Sequence, residues 1–125
     1  GISVCVHLIN GLPGETKDMM LESVQTVSRL KPWSVKLHLL HVIKGTVCEK
    51  VFSAGEFDVM EKDEYVNLVC DELERIDKSV VIQRLTGDGA RDTLVAPLWS
   101  LKKFEVLNAI DKELEKRDSF QGKYV

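Results

Sequence analysis

The sequence lacks a long hydrophobic run and any excess of positive charge. No apolar stretch approaches the roughly 20 residues that cross a bilayer. The strand-like run Ile2 to Ile9 has no basic segment before it, so a signal peptide is not expected. The net charge of −3 predicts no general attraction to nucleic acid, although a local basic patch could still contact RNA.

Cysteine is also scarce. Cys5, Cys48 and Cys70 are the only three, and they lie far apart. Their odd number and wide spacing match neither a disulfide framework nor a zinc site. We therefore expect packing roles for all three and a reducing, cytoplasmic setting.

The 125 residues, 44% of them hydrophobic and 30% charged, suit one domain with a modest core. Gly1 leads at once into strand-like sequence without an initiator Met, which predicts a piece of a longer chain. We expect the domain to cover residues 1–118 and the polar residues 119–125 to form a loosely ordered tail.

Hydrophobic periodicity predicts alternating strands and helices. The predicted strands are Ile2–Ile9, Val35–Ile43 and Val80–Leu85. The predicted helices are one that follows a Thr16 cap, a short one within Thr46–Ser53, one over Lys62–Ile76 and one over Leu101–Arg117 that follows a Ser100 cap. Residues 90–99 stay unassigned. This order is typical of an α/β fold with a mostly parallel sheet.

The last predicted helix has an apolar face and a charged face. We expect Phe104, Leu107, Ile110 and Leu114 to pack on the core. The charged run Asp111 to Arg117 should form the side that faces water.

Three unusual loops each follow a predicted strand: Asn10–Thr16, Lys44–Thr46 and Thr86–Arg91. Open α/β sheets bind ligands beyond the carboxyl ends of their strands. In Gly11-Leu-Pro-Gly-Glu-Thr16 the glycines let backbone approach a ligand, and the next helix N-terminus favours polar or negative atoms. By spacing alone the segment favours an ordinary strand-to-helix turn over a ligand site.

The segment Ile9 to Thr16 resembles the Gly-Leu-Pro-Gly-Glu-Thr segment of many radical S-adenosylmethionine (radical SAM) enzymes. These include coproporphyrinogen-oxidase-like, tRNA-methylthiotransferase-like and elongator-type members. Lys36 to Thr46 is similar to their next barrel strand. Val81 to Asp92 and Ala96 to Ser100 look like a bacterial subgroup described as radical SAM or Fe–S oxidoreductases, and this resemblance covers nearly the whole chain.

The resemblance implies a fragment of a partial (β/α)6 TIM-like barrel with a C-terminal helical extension. In the complete enzyme, S-adenosylmethionine would be cleaved at a [4Fe–4S] cluster to start radical chemistry on an unknown substrate, with a tRNA base as one candidate. The implied contacts of the adenosyl group are Ile9, Gly11, Leu12, Pro13, Gly14 and Glu15. The family's Cys-x3-Cys-x2-Cys motif is absent, so we expect this chain alone to bind no cluster and to be inactive.

Other polar residues are candidates for the substrate side: His41, Lys44, Arg84, Asp88, Arg91 and Trp99. His38 and His41 should point to opposite faces of one strand, which makes them poor joint metal ligands. His7 and His38 are more simply core or structural residues, and Lys44 a solvated lysine. Arg84, Asp88, Arg91 and Asp92 are equally compatible with a surface salt-bridge cluster, and Trp99 with core filling.

A competing hypothesis is a non-catalytic α/β binding or interaction module. Either way, a barrel cut through its sheet exposes unpaired strand edges. We therefore expect the chain alone to form a homodimer through those edges. The other expected partners are the missing N-terminal half of the barrel and a small-molecule or RNA substrate, with no membrane partner.

Overall fold

The computed structural model describes residues 1–125 as a mixed α/β fold. In chain order the elements are β1 (Cys5–Asn10), α1 (Lys17–Leu30), β2 (Ser34–Leu39), β3 (Val42–Ile43), α2 (Val47–Ser53), α3 (Lys62–Glu74), β4 (Val81–Arg84), β5 (Leu94–Ala96), a 3-10 turn (Leu98–Leu101) and α4 (Lys103–Lys116). None of the helices is both long and apolar enough to cross a membrane.

The main sheet has three strands in the order β1-β2-β4, and both pairings are parallel. The predicted α/β class with a parallel sheet is therefore confirmed. Its register places His7 of β1 opposite Lys36 of β2, and Lys36 opposite Arg84 of β4. The register shifts just before that last pair, between Val35 and Lys36.

The two faces of this sheet differ because successive side chains of a strand point to opposite sides. Val35, Leu37 and Leu39 of β2 are buried in one core cluster with residues of α1, α3 and α4. The side chains between them lie on the other face, which we call the open face. Its members are Cys5, His7, Ile9, Ser34, Lys36, His38, Val81, Gln83 and Arg84. Gln83 and Arg84 are adjacent and both belong to it, because the register shift sets two residues of β4 against Lys36 and interrupts the alternation there.

Local signals place the first helices where the sequence predicts them. The Thr16 side chain accepts a hydrogen bond from the Met19 amide at 3.2 Å and caps α1. The predicted face of α3, with Tyr65, Leu68 and Val69 among its members, is buried. Capping and an apolar stripe are local features, which explains why the sequence is sufficient for both.

The prediction of a single strand over Val35–Ile43 is wrong. β2 ends at Leu39, and the next amide, Leu40, donates to the Asn10 carbonyl at 2.8 Å. The chain then leaves the sheet, and β3 pairs antiparallel with β5 in a second, two-stranded sheet. β5 lies within residues 90–99, for which the sequence predicted no element. The end of β2 at Leu39 therefore depends on a pairing partner of β3 that is distant in the chain.

The start of the last helix is also corrected. Ser100 lies in the 3-10 turn rather than at a helix cap, and α4 begins at Lys103. The buried face of α4 therefore carries Val106 and Ile110, while Phe104 is 78% exposed. The charged run is not wholly solvated, since Arg117 bonds Asp71, Glu74 and Glu113.

The polar tail is not loosely ordered, contrary to expectation. The amides of Gly122 and Tyr124 donate to the carbonyls of Leu73 and Glu74 at the end of α3. The Gln121 side chain donates to the Asp77 and Val80 carbonyls. The tail thus supplies partners for carbonyl groups that the end of a helix leaves free.

Candidate functional site

Two of the three unusual loops meet at one edge of the sheet. β1 and β4 both run parallel to β2, so Asn10–Thr16 and Thr86–Arg91 leave the same carboxyl edge, as predicted. Lys44–Thr46 follows β3 and belongs to the second sheet, where the Lys44 amide donates to the Thr93 carbonyl. This loop is therefore not part of the main sheet edge, and Lys44 itself is exposed.

We call Gly11–Glu15 the ligand loop. Gly11 and Gly14 have φ angles of 83° and 80°, a left-handed conformation that other residues rarely adopt. The Glu15 amide closes the turn on the Leu12 carbonyl at 3.0 Å. These dihedral angles explain why two glycines occur at this spacing.

The ligand loop forms one wall of a cavity of about 660 Å³. Residues 56–60 and side chains of α1 and α3 form the other walls. This volume falls in the usual range of small-molecule sites. Gly11, Leu12, Pro13, Gly14 and Glu15 all line it. Ile9 does not, because it lies on the open face, 48% exposed. The sequence carried no signal for the 56–60 wall.

A buried acid lies beneath the ligand loop and was missed by the sequence analysis. The Asn10 side chain, 2% exposed, donates to Glu72 Oε1 at 2.7 Å. Glu72 is fully buried, and its Oε2 has no hydrogen-bond partner. Burial raises the pKa of Glu72 to about 8, against the opposing effect of the Asn10 hydrogen bond. Glu72 follows Leu68 by four residues and so falls on the apolar stripe of α3, a spacing in the sequence that could have indicated a buried acid.

The prediction that His38 and His41 face opposite sides is wrong. Their rings are in edge contact, with centroids 4.9 Å apart. Alternation fails because β2 ends at Leu39, between them. His41 Nε2 and Ser100 Oγ share a hydrogen bond of 2.8 Å. Burial lowers the pKa of His41 to about 4, and the neighbouring His38 acts in the same direction.

The loop after β4 packs its backbone against this histidine pair. We call Gly87–Gly89 the glycine loop. A Cβ atom at Gly87 would collide with His41 Nε2 and Cε1, and one at Gly89 would lie 3.0 Å from His41 Nδ1. The glycines are thus required by contact with a ring. His41 is consequently a support for the glycine loop, half-buried rather than free in a cavity.

The charged residues near this loop do not form the salt-bridge cluster that was the alternative. Arg84, Asp88, Arg91 and Asp92 take part in no ion pair of the chain. Asp88 and Arg91 are exposed, and Arg84 is half-buried at the end of β4. These side chains are therefore available to a ligand.

Trp99 packs inward. Its ring lies 5.4 Å from that of Tyr65, and its Nε1 donates to the Met60 carbonyl at 2.9 Å. This contact favours the core-filling role over base stacking. Cys70 is buried as expected. No group of three His, Cys, Asp or Glu residues converges in a way that suits a metal ion.

Comparisons with known proteins agree with this architecture. Residues 32–116 match the radical SAM C-terminal domain family. Protein YtqA of Bacillus subtilis (strain 168) is 48% identical over 124 residues, which are 99% of this chain and 38% of YtqA. The tRNA uridine(34) acetyltransferase of Methanocaldococcus infernus is 26% identical over 120 residues, 94% of this chain and 22% of that protein.

A solved structure shares the fold. It is the archaeal Methanocaldococcus infernus Elp3 with an N-terminal deletion, which superposes with a TM-score of 0.77 at 22% identity. The match covers 96% of this chain and 28% of that one. The chain thus spans well under half the length of these relatives. With a family match over most of its length, it belongs to the radical SAM C-terminal domain family.

Proposed function

We propose that the chain is the C-terminal part of a radical SAM enzyme and that its ligand loop, without the Ile9 side chain, holds the adenosyl part of S-adenosylmethionine. The observation that carries this proposal is the cavity of about 660 Å³ lined by Gly11–Glu15 at the carboxyl edge of the parallel sheet. Ligands of open α/β sheets bind at that edge.

The ligand loop suits a nucleoside for physical reasons. Gly14 holds a left-handed conformation with open space around it, so its backbone N–H and C=O groups are accessible, whereas the Gly11 amide already donates to Met20 Sδ at 3.3 Å. Such groups can bond the edge of a base. Met20 and Leu68 add apolar surface to the same cavity.

The cysteines of this chain do not fit an iron–sulfur cluster, because no three thiolates converge. When bound, a [4Fe–4S] cluster supplies the electron for the reductive cleavage of S-adenosylmethionine. Its ligands would lie elsewhere in the longer protein, and this chain alone would be inactive. We place the enzyme in the cytoplasm.

The open strand edges support a proposal for the fold of the whole enzyme. β1 and β4 are the outer strands of the main sheet, and each pairs on one side only. We propose that in the complete protein the sheet is extended by further strands to form a partial (β/α)6 barrel. Isolated from that barrel, the chain would pair edge to edge as a homodimer.

The substrate is the least constrained part of the proposal. A tRNA base is one candidate, supported only by the name of a relative, a tRNA uridine(34) acetyltransferase. Arg84, Asp88 and Arg91 are the residues of this chain that we place on the substrate side, near the glycine loop.

Calorimetric titration of the whole, cluster-loaded protein with S-adenosylmethionine tests the ligand loop. We expect Gly14→Val to abolish the binding heat while iron and sulfide content stay unchanged. Gly14 has open space around it, so the substitution acts through its φ of +80°. Gly45→Val is the matched control, because Gly45 has a similar φ and equally open surroundings but lies outside the ligand loop.

Equal binding by wild type and Gly14→Val would remove the adenosyl assignment. Absence of a Cys-x3-Cys-x2-Cys motif from the whole protein would overturn the enzyme and leave the binding-module alternative.

A further inference from the structure

We propose that the open face carries an anion site, formed by His7, Lys36 and Arg84, for a phosphate or carboxylate group of a small-molecule substrate. The inference rests on the proposed function in one respect only, that the bound anion belongs to the substrate. The site itself is inferred from the geometry of this chain.

The three basic residues stand abreast across the sheet. His7 of β1 is in register with Lys36 of β2, and Lys36 with Arg84 of β4. Neighbouring strands are about 4.8 Å apart, so the row spans roughly 10 Å at the backbone. Register partners point to the same face, which here is the face without helices.

No residue of the chain neutralises this row. His7, Lys36 and Arg84 form neither an ion pair nor a side-chain hydrogen bond. The open face contains no carboxylate: its other members are Cys5, Ile9, Ser34, His38, Val81 and Gln83. The next acid after Arg84 along the chain is Asp88, which is exposed and pairs with no cation.

Lys36 and Arg84 carry like charges in register on adjacent strands, and like charges directly opposite one another destabilise a sheet. This pair therefore favours a counter-charge from outside the chain. The row is also not a product of composition, because the whole chain carries a net charge of −3. Lys17 and Arg117, by contrast, are each paired with a carboxylate of the chain. An oxyanion bound by Arg84 and Lys36 would remove the repulsion.

The size and surroundings of the row favour a small anion over a nucleic-acid backbone. RNA binding draws on many phosphate contacts and a broad basic surface. Here the basic row is three residues wide, on an acidic chain. A single phosphate, pyrophosphate or carboxylate group matches that width.

The test uses calorimetry of the whole protein with inorganic pyrophosphate as the probe, at low and moderate salt. We expect binding by wild type that Lys36→Gln and Arg84→Gln each weaken about tenfold, as for one lost charge-assisted hydrogen bond. The double variant Lys36→Gln/Arg84→Gln should show no binding heat. The matched control is Arg29→Gln/Lys50→Gln, which removes the same charge from exposed positions on α1 and α2.

Two results would overturn the site: absence of pyrophosphate binding by wild type, and an equal loss of binding in the control. Tighter row-dependent binding of a single-stranded RNA than of pyrophosphate would overturn the assignment to a small-molecule substrate. Competition with S-adenosylmethionine would assign the row to the methionine carboxylate and overturn the substrate assignment. Independent binding of pyrophosphate and S-adenosylmethionine would support the substrate assignment. If pyrophosphate binds through the row while S-adenosylmethionine does not bind at all, the site stands and the proposed function fails.

Discussion

The ligand loop and the glycine loop leave the same edge of the sheet, and each contacts a titratable side chain whose pKa is shifted by burial towards the neutral form. The ligand loop follows Asn10, which is bonded to the acid Glu72. The glycine loop packs on the base His41. An acid is neutral when protonated and a base when deprotonated, so the two loops have opposite pH limits. The support of the ligand loop should weaken at high pH, and that of the glycine loop at low pH.

The two supports also differ in environment. Glu72 lies on the helix side of the sheet and is fully buried, whereas His41 lies on the open side and is half-buried. Burial is the largest cause of both pKa changes. The same desolvation therefore raises the pKa of the acid and lowers that of the base. Three experiments test this contrast between the two loops.

The largest effect is expected for Gly87→Ala. The new methyl group would collide with the His41 ring, which is held by Ser100 and cannot simply turn away. Overpacking of this kind should lower the free energy of unfolding by about 3 kcal/mol in urea denaturation. In a His41→Ala background the same substitution should cost little. An equal cost in both backgrounds would show that the glycine loop does not rest on His41.

A second effect concerns Glu72. Its folded pKa of about 8 lies above the ordinary value of 4.5, so its contribution is complete below pH 4.5 and is lost as the pH rises towards 8. We expect wild type to lose about 2 kcal/mol more than Glu72→Gln between pH 5 and pH 6.5. Asp63→Asn, an exposed acid on the same helix, is the control. Parallel pH profiles of wild type and Glu72→Gln would contradict the neutral acid.

The smallest effect is expected for His41, and it has the opposite pH dependence to that of Glu72. The His41 pKa is lowered to about 4 from 6.5, so its contribution is complete above pH 6.5 and is lost as the pH falls towards 4. Because water screens a half-buried ring, we expect only about 1 kcal/mol between pH 7 and pH 4, relative to His41→Asn. Imidazole proton shifts in NMR would report the titration directly. A His41 midpoint at or above 6.5 would remove the contrast between the loops.

Much of this pattern is visible in the sequence, and the misses share a cause. The parallel β-α-β order, the Thr16 cap and the glycine spacing of the ligand loop follow from local chemistry. The strand break after Leu39, the contact of His38 with His41 and the 56–60 cavity wall depend on residues far along the chain. Periodicity carries no information about such distant partners.

Dihedral preferences and apolar periodicity act over a few neighbouring residues, so they were enough to predict the fold class, the ligand loop and its place after the first strand, although that strand is half-exposed rather than buried. What supports each loop, and which charges meet, depends on contacts between elements that are distant in the chain. Glu72 became a neutral acid, and His7, Lys36 and Arg84 became one row, because strand register and burial bring together residues that the chain keeps far apart.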